Sequence, residues 1–255
     1  MIAPYILAAA VAFADGSTRY GDFGLREDNS TIVEAAYASD FAVSHTAEAI
    51  VFDLRAKSAL GSALAEKSGA PTFGVWPTAD MFEIFLAPPG GSGFTQFAVA
   101  CNGSRWNSRN LEAGAWLFEH EYTADGWRGK VTIPFAALGV KCPVKGDKWR
   151  VNVARDFPRP AGKIGIATWA PVGGLFNNPA KFGDLYFCAE KELVAARQAK
   201  AAKLAAEVRA ELAAQGLERE FAERLAALER GAPEEVAIEI RDEAKALRHI
   251  RSCGF

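Results

Sequence analysis

Cysteine is scarce in this 255-residue chain: the four present stand far apart, at Cys101, Cys142, Cys188 and Cys253. None forms a CxxC pair, so the spacing specifies neither a thiolate metal site nor a redox motif. Disulfide pairing stays open, and Cys101, Cys142 and Cys188 are predicted to be small buried hydrophobes. Histidine is rarer still. His45, His120 and His249 are isolated, no HExxH helix is present, and Ser44-His45 is an adjacency, expected as a turn pair rather than part of a triad. Net charge is also lacking, with 29 basic against 31 acidic residues, so there is no electrostatic reason to expect nucleic acid. No apolar run reaches the roughly 20 residues of a membrane-spanning helix. No dense run of acids offers the oxygen ligands of a calcium site.

Aromatics are missing from the last quarter. All six tryptophans precede residue 188, and beyond it only Phe221 and Phe255 are aromatic. The chain therefore divides by composition into residues 15–188 and a tail, 189–255. Residues 1–14 stand apart. Ile2 to Ala14 is apolar and ends Ala12-Phe13-Ala14 before Asp15, which suits either a secretory signal or a first strand.

What is present before residue 188 reads as strands. Trp127, Gly129, Val131 and Ile133 alternate with Arg128, Lys130 and Thr132, the period of a half-buried antiparallel strand. A second strand is predicted from Trp149 to Val153, after a turn opened by Pro134 and a polar loop at Gly146-Asp147-Lys148. Ala47 to Lys57 puts Ile50, Phe52 and Leu54 on one face. Further strands are expected at Ser30–Tyr37, Met81–Leu86, Thr95–Ala100, around Trp116 and Phe118, at Ile164–Trp169 and at Gly183–Cys188. The run from Ala87 to Gly93 and the Asn102-Gly103 pair must be turns, because proline lacks a donor and glycine favours positive φ. Short strands punctuated in this way predict a mainly β fold, an antiparallel, jelly-roll-like β-sandwich. Trp149 and Trp169 are expected in its core, and Trp106 and Trp127 in the core or at its rim.

After Cys188 the period changes. Leu193, Leu204, Val208 and Leu212, then Leu217, Phe221, Leu225 and Leu228, recur at helical spacing. Gly216 and Gly231-Ala232-Pro233 mark the breaks, and a third helix is expected from Glu234 to Ile250. The apolar stripe lacks a sustained heptad, which favours a hairpin within the chain over a coiled coil with a protein partner.

The order of motifs in the first part is similar to that of the family 9 carbohydrate-binding modules. It is carried by Asp80 to Leu86, Gln96 to Val99, Trp127 to Gly139 with Ile133-Pro134-Phe135, Trp149 to Asp156, Trp169-Ala170-Pro171 and Phe182-Gly183-Asp184-Leu185. The resemblance implies a secreted or extracytoplasmic, non-catalytic sandwich, with structural calcium in some members, that holds a glycan end between two aromatic rings. Sugars suit such rings because C–H groups pack on the π face while hydroxyls turn to hydrogen-bonding neighbours. Trp76 and Phe176 occupy the places of the rings, Glu83 that of an acidic neighbour, and Asn152 that of a polar one. Ala98 and Ala100 stand where sugar-binding members offer an arginine and an asparagine, Phe176 replaces a tryptophan, and Gly173 replaces an asparagine. From the pattern of its own strand, Glu83 alternates with Phe82 and Ile84 and is expected to face solvent. Two other readings remain: a sandwich that keeps only its fold and binds a protein partner through the tail, and a haem protein using Met81, for which core filling is the competing role.

Overall fold

The computed structural model describes residues 10–21, 23–25, 33–69, 79–90, 93–159, 162–172, 176–230 and 235–252. They form two compact units, residues 1–189 and 190–255. The first is a β-sandwich and the second is helical.

Numbered along the chain, the smaller sheet contains β2 (Arg19–Tyr20), β4 (Ser39–His45), β5 (Ala49–Lys57), β10 (Gly126–Pro134) and β9 (Leu117–Thr123), side by side in that order. The larger sheet runs β1 (Val11–Phe13), β13 (Gly183–Tyr186), β11 (Lys148–Pro158), β6 (Met81–Ala87), β7 (Thr95–Ala100) and β8 (Arg105–Asn107). Beside the second half of β11 lies β12 (Ile164–Thr168), and β3 (Gly24–Leu25) pairs with it. Among the described pairs only β1 with β13 is parallel. A cut after Ala14 would remove β1, with its fully buried Ala12, and uncover the edge of β13.

Alternation sets the smaller sheet. Ile50, Phe52 and Leu54 of β5 are fully buried, while Asp53, Arg55 and Lys57 between and beyond them are exposed. Phe52 sits between Val43 and Val131 on the flanking strands, so one apolar row crosses three strands. Gly126 opens β10 because nothing larger fits: an added Cβ would lie 1.9 Å from the Ala56 carbonyl oxygen. The strand leaves the sheet at Pro134, after which Phe135–Leu138 forms α1. Gly139 closes that turn at φ 71°, and the Val140 amide bonds back to the Phe135 carbonyl.

Three expectations need correction. Ala35–Tyr37 is a 3-10 turn rather than the end of a strand, while residues 30–32 lie outside the described set. Ser44 and His45 belong to β4 and not to a turn. That strand escapes notice because Ser39 interrupts the apolar face on which Phe41 and Val43 are fully buried. Cys142 is exposed, whereas Cys101 and Cys188 are buried. β11 also runs past Val153 to Pro158, through two charged residues that are both buried.

One of them, Arg155, explains how. All five of its N–H donors are satisfied. Nε and Nη2 donate to the two carboxylate oxygens of Asp80 at 2.9 and 2.6 Å. Nη1 donates to the Tyr37 carbonyl and Ser39 Oγ, and Nη2 also to the Lys57 carbonyl. Asp80 accepts in addition from the Trp127 indole, 3.0 Å away. Arg155 and Asp80 come from the larger sheet and its approach, the others from the smaller sheet and its margin. The ion pair therefore ties the layers together with neither side chain accessible to solvent.

The second unit folds around its own core. Ala205, Val208 and Leu212 of α2 (Glu190–Ala213), Leu225 and Leu228 of α3 (Ala222–Glu229), and Ala237, Ile240 and Ala244 of α4 (Glu235–Ser252) pack together with Leu217 and Phe221. Gly216, at φ 68°, ends the first helix as its sequence position predicts. The tail thus buries its apolar stripe among three helices of the same chain. Exposed bridges such as Arg241 to Glu211 add little, about 0–1 kcal/mol each.

Because every tryptophan precedes residue 188, tryptophan fluorescence in urea reports the sandwich alone. Asp80→Ala and Arg155→Ala are each expected to lower its stability by about 3–5 kcal/mol, since each leaves a buried charge unpaired. Arg155→Lys is expected to recover less than half of that, because an ammonium cannot reach five acceptors in a plane. A loss below about 1 kcal/mol in all three would show that the pair is not what joins the sheets.

Candidate functional site

β6 lies between β11 and β7, and all seven of its residues are buried. Phe82, Ile84 and Leu86 face the smaller sheet. The alternate residues, Glu83, Phe85 and Ala87, face outward, yet they too are covered. Phe85 and Ala87 join Ala154, Ala170, Val172 and Phe182 in a second apolar cluster, with Phe94, Phe176 and Trp169 at its margin. The larger sheet therefore buries both faces. Glu83 is 3% exposed, which corrects its expected place in solvent.

Register defines this outer face. Phe85 pairs with Asn152 on one side and Gln96 on the other, and Glu83 with Ala154 and Ala98. Asp156, two residues beyond Ala154 on β11, completes the polar group. Gln96 Nε2 donates to Glu83 Oε2 at 2.7 Å. Burial, and after it the negative charge of Asp156, push the Glu83 carboxyl up to about 8, against the opposing hydrogen bond from Gln96. At neutral pH Glu83 is then mainly a neutral acid with a proton to donate.

Asn152 has no accessible surface. Its Oδ1 accepts from the Ala170 amide at 3.0 Å, which fixes which way the side-chain amide points. The Thr168 hydroxyl, with a single proton to give, lies within hydrogen-bonding distance of both that oxygen and the Ala170 carbonyl. Asn152 Nδ2 has no partner among the described residues. An unmet buried donor costs about 1–3 kcal/mol, so this atom is held on the face at a cost.

Phe176 is half-buried, its ring edge-on to Phe85 with centroids 6.2 Å apart. Three of the four residues singled out from sequence, Glu83, Asn152 and Phe176, thus belong to one face of one sheet or to the cluster on it. The fourth, Trp76, lies outside the described residues, as does Gly173. Ala98 and Ala100 are buried on their strand and offer no hydrogen-bonding arm. Gln96 takes part in their place. Sequence reasoning passed over Gln96, Asp156 and Phe85; Asn152 and Asp156 share a face because β11 runs on past Val153, where the strand was expected to end.

Other candidates do not assemble. Ser44 and His45 are consecutive on β4 and point to opposite faces. Met81 packs in the main core. Among the described residues no three acidic, histidine or cysteine side chains converge as a metal site, so the oxygen cage of a calcium ion is not built from them. A concavity of about 470 Å³ on the smaller sheet is lined by Asp53, Arg55, Glu119, His120, Glu121, Arg128 and Lys130. Its charges alternate in sign and pair loosely, as on an ordinary solvated face.

No protein-family model and no curated protein matches the chain. Solved structures do. A presumed carbohydrate-binding protein of Bacteroides uniformis is 19% identical, with 67% of this chain and 86% of that one covered and a TM-score of 0.49. A family 9 carbohydrate-binding module of Caldicellulosiruptor kristjanssonii, in complex with cellotriose, is 12% identical over 71% of this chain and 94% of that one, at a TM-score of 0.49. A structure of such a module from the same organism with glucose gives 12% identity, 67% and 85% coverage and a TM-score of 0.47.

The state of Glu83 has a consequence for stability. Folding raises its pKa from 4.5 to about 8, so between those values the folded protein holds a proton that the unfolded chain has released. Its contribution is complete below the lower value and is lost as pH rises through the upper one. The urea midpoint of tryptophan fluorescence is expected to fall across this range, and in Glu83→Gln to fall much less. An equal fall in both proteins would assign the effect to other groups.

Proposed function

We propose that the sandwich is a non-catalytic module that binds the end of a glycan chain on the outer face of its larger sheet. Asn152 Nδ2 carries this reading: a buried donor without a partner among the described residues, held in orientation by the Ala170 amide, on a face that also presents an aromatic ring. A sugar hydroxyl supplies the acceptor that atom lacks. Glu83, neutral and a proton donor at neutral pH, and Gln96 beside it offer further hydroxyl contacts. Phe176 provides one stacking surface, and Trp76 is assigned the opposite one by the sequence resemblance. The solved complexes with cellotriose and glucose make β-linked glucans the first ligands to try.

The two alanines at positions 98 and 100 fit a site that stacks well and discriminates weakly, because few polar groups are left to reject a wrong hydroxyl pattern. An extracytoplasmic location accompanies this function. The alternative, assembly with a protein partner through the tail, has no comparable observation behind it, since the helices bury their apolar stripe among themselves.

A glycan array followed by isothermal titration tests the proposal. Phe176→Ala and Trp76→Ala are each expected to weaken binding about tenfold, the order of a lost stacked ring. Asn152→Asp keeps the shape and the acceptor oxygen but removes the Nδ2 donor, and is expected to weaken it by a similar factor. Absence of binding to any mono- or oligosaccharide at millimolar concentration would refute the proposal, as would unchanged affinity in all three variants.

A further inference from the structure

The row of side chains through Glu83 continues to the edge of the larger sheet. Ala98 of β7 lies opposite Glu83, and Trp106 of β8 lies opposite Ala98, so the three share one face in one line. Residues on either side of Trp106 turn the other way: Asn107 is buried, and Arg105 reaches over the ring of the buried Trp116 at 5.4 Å. Trp106 itself is 37% exposed, and of the described tryptophans it alone is classed with the surface. A single exposed apolar side chain is ordinary. What distinguishes this one is its register with Glu83 and the residue between them, because Ala98 rises no higher than a methyl group and leaves the strip between ring and carboxyl low.

Two strand spacings, roughly 10 Å, separate Trp106 from Glu83. A single pyranose does not cover that span, whereas a short chain of them does. We propose that Trp106 is a second stacking platform on this face, so that the ligand is an oligosaccharide lying across β6, β7 and β8, its end at Glu83 and Asn152 and a later unit on Trp106. This extends the glycan reading above and rests on it. A flat indole at the sheet margin suits the face of a sugar ring, and its position on the outermost of these strands leaves the chain free to continue beyond the protein.

The test is titration of the full chain with soluble β-1,4-glucan and β-1,4-xylan oligosaccharides of one to six units. Affinity is expected to rise with length beyond the first unit. Trp106→Ala should weaken the tetrasaccharide roughly 3- to 10-fold and leave the monosaccharide unchanged, with Trp106→Phe restoring most of the loss. Equal effects on both ligands, or none on the tetrasaccharide, would overturn the second platform while leaving the terminal site standing. Failure of the native protein to bind any member of either series would overturn the extension, and failure on every glycan of the array as well would remove the glycan reading itself.

Discussion

A buried ion pair holds the two sheets of this sandwich in their relation. Arg155 and Asp80 have no solvent exposure, and between them they engage Tyr37, Ser39, Lys57 and Trp127. Removing two charges from water costs several kcal/mol, and well-packed apolar residues in place of a buried pair are often as favourable. The distinctive contribution of the pair is directional. Five donors in a plane meet five acceptors fixed in space, so β11 can hold only one register against β6 and one height above β4 and β5. That register decides which β11 residues face inward with Arg155 and which face outward with Asn152, Ala154 and Asp156.

The outer face follows from this constraint, and its composition is unusual for an antiparallel sheet. Such sheets commonly pack one side and solvate the other, giving a simple alternation of apolar and polar residues. Here the outer side of β6 is covered as thoroughly as the inner, and the polar groups on it have been taken from water. Glu83 responds by holding its proton, helped by the nearby charge of Asp156. Asn152 keeps a donor in reserve. A face of this kind is costly in the free protein, and under the proposed function a ligand rich in hydroxyl groups supplies the acceptor that Asn152 Nδ2 lacks. Burial also explains why Glu83 links stability to pH.

Much of the fold was legible in the sequence because its strands and helices differ in period. Ile50, Phe52 and Leu54 advertise their inward face by alternation, and the tail advertises three helices by Leu, Val and Phe at spacings of three and four. β4 was not legible, since Ser39 is buried there to accept from Arg155 and therefore looks like a loop residue. The end of β11 was hidden for the same reason: Arg155 and Asp156 are read as solvated unless their partners are known. The site was half legible. Family-like motifs located Phe176, Glu83 and Asn152, but strand alternation alone sent Glu83 into solvent, because a one-dimensional pattern cannot record what lies over the far side of a sheet. Gln96 gave no signal of its own, and its part became apparent only through its register with Phe85 and its bond to Glu83.

The central claim is that a sugar completes the hydrogen bonding of the outer face. A crystal structure of the full chain with an oligosaccharide chosen from its glycan profile tests this most directly. The account predicts a terminal sugar stacked on Phe176, with a hydroxyl oxygen within about 3.2 Å of Asn152 Nδ2. A sugar seated instead on the charged concavity of the smaller sheet, or Asn152 Nδ2 bonded to the protein's own backbone with that face closed, would contradict it.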